Sequence, residues 1–210
     1  MTANHLERAR ALPLPTREAM LHRAPSVQAF WLDNKSLLAN AWQDCEALLP
    51  ESITLDESLI DSRLREAISL AWDTPETENA VRDLWEEVAP GVYQCQFFDV
   101  DKLAALSDYF DKVADAQIPL RPPYGIVLNR RGMMLDKRSE GYLATPEFQQ
   151  FYRVIIDTYM RPISRLLFPE ITGHDTQSFG FSIAYQPSTD TSIRPHTDAS
   201  AVTLNINMNK

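Results

Sequence analysis

Over residues 26–49 apolar side chains recur at three- and four-residue intervals, with Phe30, Trp31, Leu37, Leu38, Ala41, Trp42, Cys45 and Leu48 along one face. That period predicts a helix, closed by Pro50. A second helix is expected near residues 55–72, with Leu59, Ile60, Leu64, Ala67, Ile68 and Ala71 inward. Pro75 suits a first helical position, which predicts a third helix over 76–88 ended by Pro90 and Gly91.

After Gly91 the period shortens. Residues 92–98 are rich in aromatic and β-compatible side chains and read as a strand. Asp99 or Asp101 is placed to cap a helix reaching about Ala116, carrying Leu103, Leu106, Tyr109, Phe110 and Val113. The proline pair and glycine of residues 121–125 predict a loop, 126–128 a short strand, and the polar stretch 129–143 irregular chain. Residues 146–167 read as a strong helix with Phe148, Phe151, Tyr152, Ile155, Ile156, Tyr159, Ile163 and Leu166 inward, kinked or split at Pro162.

The tail alternates with period two. Residues 178–185 put Phe179, Phe181, Ile183 and Tyr185 on one face, and 187–191 form a turn-like insert. Residues 201–209 put Val202, Leu204, Ile206 and Met208 on one face, with Ala201, Thr203, Asn205, Asn207 and Asn209 on the other. No internal repeat or low-complexity tract interrupts this order.

Composition narrows the class. The chain has 210 residues, of which 44% are hydrophobic and 23% charged, which is globular usage. A chain this long buries roughly 70% of its unfolded surface. The net charge of −9 argues against a nucleic-acid partner. That acidity is local: residues 25–90 carry 14 acidic and 4 basic side chains, whereas 91–210 carry 13 and 12. A solvated helical surface accounts for the acidic run, and a partner-binding role stays open. No secretory signal or 18-residue apolar run is visible, so no membrane association and a cytoplasmic location are expected. Cys45 and Cys95 lack zinc-finger or CxxC spacing and read as reduced thiols. Six glycines against 14 prolines is few for a complete all-β domain with many turns.

The chemistry concentrates in the tail. His196 and Asp198, two apart on an extended strand, would point to the same side and offer an imidazole nitrogen and a carboxylate oxygen to one metal. That is two thirds of the 2-His-1-carboxylate facial triad of non-heme ferrous oxygenases. Spacing alone is weak, since an HxD triplet arises by chance in roughly 0.3 of chains of this composition. The flanking strands add weight: a row of Thr203, Asn205 and Asn207 facing inward wastes polar groups in a core but suits a ligand cavity.

The run HTDASAVTLNINMN, residues 196–209, resembles the metal-binding strand of the Fe(II)- and 2-oxoglutarate-dependent dioxygenases. It is most similar to the prolyl 4-hydroxylase and lysyl-hydroxylase-like branch, where H-x-D-x-S-x-x-T-L-N is typical. IAYQPS, RPPYGIVL and MRPISRLLFPE resemble the strand and lead-in of that branch. The resemblance covers residues 91–210. It implies an α+β fold: a double-stranded β-helix, or jelly-roll, incomplete at its carboxyl end, with residues 1–90 a helical acidic extension.

The same resemblance implies that His196 and Asp198 ligate Fe(II) and that the Tyr185 hydroxyl contacts 2-oxoglutarate, although a core tyrosine with a satisfied hydroxyl reads equally well. Asn207, with Thr203 and Asn205, would line the co-substrate pocket. Arg194 would face the mouth or lie on the surface. Iron and 2-oxoglutarate are the implied cofactors, with ascorbate a candidate reductant. The implied reaction hydroxylates an unactivated C–H bond of a protein or small-molecule substrate, on this branch a prolyl or lysyl side chain, releasing succinate and carbon dioxide. The family pattern continues with further strands, a distal histidine and a basic residue for the co-substrate carboxylate. His5, His22 and His174 do not lie where that histidine falls, so a carboxyl-truncated domain is expected. The alternatives are a catalytically inactive jelly-roll binding module and a cupin-like metalloprotein.

Overall fold

In the computed structural model the described residues are 4–22, 24–48, 54–120, 133–134, 146–171, 178, 180–185, 187, 192, 195–198 and 200–208. The expectations for Pro50, for residues 121–128, for most of 129–143 and 187–191, and for His174, Phe179, Arg194 and Asn209 lie outside them. Helix dominates. Four short strands form two two-stranded sheets among the described residues, so the jelly-roll expectation is not realised in them.

The chain divides into two compact units. The first comprises Met1–Ser52, Tyr109–Tyr152 and Gln177–His196, and the second Ile53–Asp108, Arg153–Thr176 and Thr197–Lys210.

The first unit opens with two helices that hydrophobic periodicity does not reveal. Asn4 caps α1 (His5–Arg10) by accepting the Leu6 N–H at 3.1 Å. Thr16 caps α2 (Arg17–Leu21) by accepting the Ala19 N–H at 3.2 Å. Both are short polar side chains satisfying an orphan helical donor. The helix expected over 26–49 is two, α3 (Pro25–Asp33) and α4 (Lys35–Glu46). They part at Asn34, whose backbone sits at φ −95°, ψ 1°. Its side-chain amide donates to the Phe30 carbonyl at 2.8 Å, competing with the helical ladder.

α1 packs on α4 with Leu6 and Ala9 buried, alongside Trp31, Leu38, Ala41 and Trp42 in the unit's core. His5 Nδ1 lies 3.1 Å from Asp44 Oδ2, and Arg10 Nε donates to the Ala116 carbonyl at 2.9 Å. Beyond Ala116 the chain reverses through Gln117, whose φ of 59° is left-handed, a conformation common just past a helix end. An aromatic cluster completes this core: Tyr109 stacks on Phe148 at 6.3 Å, and Phe151 meets Phe148 edge-on.

In the second unit Asp56 accepts the Ser58 N–H and starts a 3₁₀ turn, Glu57–Leu59. The helix expected from residue 55 therefore begins later. Ile60 instead pairs with Phe98 in an antiparallel bridge, framed by Asp61 N–H to Phe97 O at 3.0 Å and Asp99 N–H to Leu59 O at 2.9 Å. Asp61 caps α5 (Ser62–Asp73), which buries Leu64 and Ile68 at helical spacing.

Pro75 starts a helical turn as expected, but a 3₁₀ one, Pro75–Thr77, followed by α6 (Asn79–Arg82). The remainder of the expected third helix is strand. β1 (Glu86–Ala89) pairs antiparallel with β2 (Val92–Gln94), Glu86 facing Gln94 and Glu87 facing Tyr93. Pro90 and Gly91 turn a hairpin rather than stopping a helix; Gly91 has φ +70° and donates its N–H to Glu87 Oε1 at 3.0 Å. Hairpin turn chemistry outweighs the helical propensity of the glutamates here. Tyr93 packs edge-on against Phe168, ring centroids 5.5 Å apart.

Asp99 accepts the Asp101 N–H and, through its carbonyl, the Lys102 and Leu103 N–H groups, which leads into α7 (Leu103–Asp115). Within the polar stretch 129–143, β3 (Met133–Met134) is a short strand.

The helix of residues 146–167 is α8 (Pro146–Val154), a π-helical turn over Ile155–Met160, then α9 (Arg161–Leu167). The helix is split ahead of Pro162, as expected: Pro162 has no N–H to donate to the carbonyl four residues back, and the Arg161 N–H bonds five residues back to Ile156 O. The extra residue moves the buried face by one position, so Leu167 rather than Leu166 is buried. In the first unit, β4 (Phe181–Ser182) pairs with β3, Met133 facing Ser182 and Met134 facing Phe181.

Candidate functional site

The two tail segments fold differently from one another. Residues 202–208 are extended, and their burial alternates as the sequence pattern requires: Val202, Leu204, Ile206 and Met208 are half-buried, Ala201, Thr203, Asn205 and Asn207 exposed. The two faces are those that the alternation separates. The polar row expected inside a cavity faces outward, which relieves it of the cost of burying amides and hydroxyls. Ser200 Oγ and Thr203 Oγ1 lie 2.6 Å apart, a local hydrogen bond that fixes the start of this row. No regular strand is formed over these residues.

Around Tyr185 the alternation fails. Phe181 is 38% and Tyr185 51% exposed, while Ile183 is half-buried. Ser182 Oγ is buried without a hydrogen-bond partner among the described residues. Only Phe181–Ser182 is paired strand, so nothing enforces a period of two through Tyr185. Tyr185 is thus half exposed rather than a core tyrosine.

His196 and Asp198 lie in irregular chain, not on a strand, and both are exposed. His196 closes the first unit and Asp198 belongs to the second. Each is engaged by a neighbouring group, as is Asn207. Among the described residues no group of three His, Cys, Asp or Glu side chains gathers to hold a metal. The donor chemistry still suits ferrous iron at two positions: an imidazole nitrogen and a hard carboxylate oxygen, both on exposed residues.

His5 is committed elsewhere, beside Asp44. Cys45 and Cys95 are free thiols. Burial pushes Cys95 up to about 12, with the Asp61 carboxylate adding to the effect and Arg63 opposing it. Such a thiol is a poor metal ligand and nucleophile at neutral pH. In the second unit Asp61 is held below the usual carboxylate range by the hydrogen bond from Arg63, and Asp56 by that from Ser58.

A polar contact that periodicity could not reveal joins Tyr159 to Glu57. The phenol, read from sequence only as a core position, donates to Glu57 Oε1 at 2.8 Å. Among the described residues no helix is long and apolar enough to cross a membrane.

No family model matches the chain, and no solved structure matches it. It is 29% identical over 143 residues to the 2-oxoglutarate and iron-dependent oxygenase domain-containing protein CP2 of Arabidopsis thaliana, covering 62% of this chain and 32% of that protein. It is 26% identical over 139 residues to the similarly named protein ICU11 of the same plant, covering 64% and 32%. It is also 26% identical over 163 residues to 2-oxoglutarate and iron-dependent oxygenase domain-containing protein 2 of Danio rerio, covering 74% and 43%. The matched part thus spans between a third and a little over two fifths of these curated relatives. Shared by all three names, the superfamily of 2-oxoglutarate- and iron-dependent oxygenases is what these similarities support for this chain, and none of them singles out a prolyl or lysyl hydroxylase branch.

Proposed function

We propose that this chain is part of an Fe(II)- and 2-oxoglutarate-dependent dioxygenase. The observation that carries the reading is the similarity to three proteins named for that chemistry, joined to the His196-Thr197-Asp198 triplet in the tail. In this reading residues 1–90 are a helical extension and 91–210 the first part of an oxygenase domain of jelly-roll type.

His196 and Asp198 would hold the iron through one imidazole nitrogen and one carboxylate oxygen. When bound, iron and 2-oxoglutarate would activate dioxygen, the oxidant of the reaction, one oxygen atom going to an unactivated C–H bond and the other to the succinate formed as carbon dioxide is released. The chain's own contribution is binding and orientation. The Tyr185 hydroxyl and the exposed row of Thr203, Asn205 and Asn207 are donors and acceptors of the right kind for a dicarboxylate co-substrate. The substrate is a protein or small molecule rather than a nucleic acid, in keeping with the net charge of −9, and the location is cytoplasmic. Hydroxylation of a prolyl or lysyl side chain rests on the H-x-D-x-S-x-x-T-L-N resemblance alone.

The test is conversion of 2-oxoglutarate to succinate by the full-length protein with ferrous iron and ascorbate. His196→Ala and Asp198→Ala should each abolish it. Iron-independent turnover, or turnover indifferent to both substitutions, would remove these residues from the site.

A further inference from the structure

The buried positions of the second unit's long helix are Ile155, Tyr159, Ile163 and Leu167, a strict interval of four. On a regular α-helix, at about 100° per residue, such a row drifts by about 120° from first to last. The π turn over Ile155–Met160 inserts one residue and brings the drift back to about 20°. Without the insertion, the residue returning to within about 20° of Ile155 is Leu166.

The sequence accommodates both registers. Leu166 precedes Leu167, so the far end of the row keeps a leucine if α9 slips by one residue, and Ile163 gives way to Pro162, which is also apolar. Ile156 and Leu166 are half-buried, at the margin of the core rather than in solvent. Pro162 has already removed one α-helical hydrogen bond, so the two ladders are close in backbone bonding. Tyr159 lies inside the π turn, is 2% exposed, and donates to Glu57 at 2.8 Å. Glu57 opens the 3₁₀ turn that leads into the Ile60–Phe98 bridge, a fixed point of this unit.

We propose that the Tyr159–Glu57 hydrogen bond is a register latch: it holds the inserted residue in the helix, and its release lets α9 turn by one residue, exchanging Leu167 for Leu166 in the core. α9 packs on α6, so the exchange would change the face that α6 meets. The device is a two-state element in the sense required for switching, its two packings offered by the adjacent apolar pairs Pro162–Ile163 and Leu166–Leu167.

The experiment replaces Cys45 and Cys95 with alanine in the full chain and introduces Leu166→Cys or Leu167→Cys, each with and without Tyr159→Phe. Thiol labelling rates are read under native conditions. With the latch intact, the thiol at 167 should label slowly and that at 166 faster. Tyr159→Phe should raise the rate at 167 about tenfold and lower that at 166. Unchanged rates, or a rise at both positions, would overturn the latch, the second outcome being general loosening. If Tyr159→Phe does not fold, Glu57→Ala against Glu57→Gln carries the same comparison: the amide keeps an acceptor and should label as the parent, while alanine should invert the two rates. Equal behaviour of the two Glu57 variants would again overturn it.

Discussion

Gly180 lies so close to the ring of Tyr152 that a Cβ on it would sit 2.7 Å from Cε2 and 3.0 Å from Cζ. The same ring stacks on Phe148, centroids 6.4 Å apart, so moving it aside disturbs a second contact. Glycine is scarce in this chain, with 6 in all, and here it is required by a side chain rather than by a turn. Gly180→Ala is expected to destabilise the protein by about 1–3 kcal/mol, the usual cost of overpacking. Denaturant unfolding measures it; a loss within experimental error would mean that the ring yields freely.

The core of the second unit makes a sharper contrast on one helix. Leu64 is 1% exposed and Leu70 50%, both on α5. Leu64→Ala should cost about 2–5 kcal/mol, through lost transfer energy and a residual cavity. Leu70→Ala should stay within about 0.5 kcal/mol. Comparable losses at both positions would contradict this assignment of the buried face.

Asp61 links stability to pH. The hydrogen bond from Arg63 holds its folded-state carboxyl below the ordinary range, outweighing the opposing effect of burial. A lowered folded value means that the contribution is complete above the unfolded value of about 3.9 and disappears as pH falls through the folded one. Asp61→Ala should therefore cost about 0.5–2 kcal/mol at pH 7, where the charged cap of α5 is lost. The difference from the parent should shrink in acid, and unfolding midpoints between pH 7 and pH 2.5 give the curve. A difference that grows in acid would reverse the sign of the linkage.

Cys95 should be chemically quiet in the folded protein. With its thiol pushed up to about 12, chiefly by burial, little thiolate exists at pH 8. Alkylation should run about a thousandfold slower than for an unperturbed cysteine and become fast on unfolding. Mass spectrometry of native and denatured samples after iodoacetamide separates the two, and rapid native alkylation of Cys95 would refute the burial argument.

Periodicity located most helical faces, since burying an apolar stripe is what stabilises these helices. It misplaced elements wherever a single polar group or turn decided the outcome. Asn34 divides one expected helix by bonding to Phe30 O. The Pro90–Gly91 hairpin converts the end of another into strand, and Leu167 replaces Leu166 because a residue is inserted at the π turn ahead of Pro162. In the tail, alternation predicted correctly which of residues 202–208 share a face, but whether a face points into a cavity depends on neighbours that a period of two does not specify. His196 and Asp198 were legible as a donor pair because their chemistry is in their side chains. Their exposure was not legible, since it depends on what packs around them.

Succinate formation from 2-oxoglutarate decides whether this chain carries oxygenase chemistry. The full-length protein should form succinate with ferrous iron and oxygen, and His196→Ala should reduce the rate to background while leaving the unfolding free energy within about 0.5 kcal/mol of the parent, as expected for an exposed side chain. No succinate from folded full-length protein supplied with iron and ascorbate, across peptide and small-molecule substrates, would contradict the account.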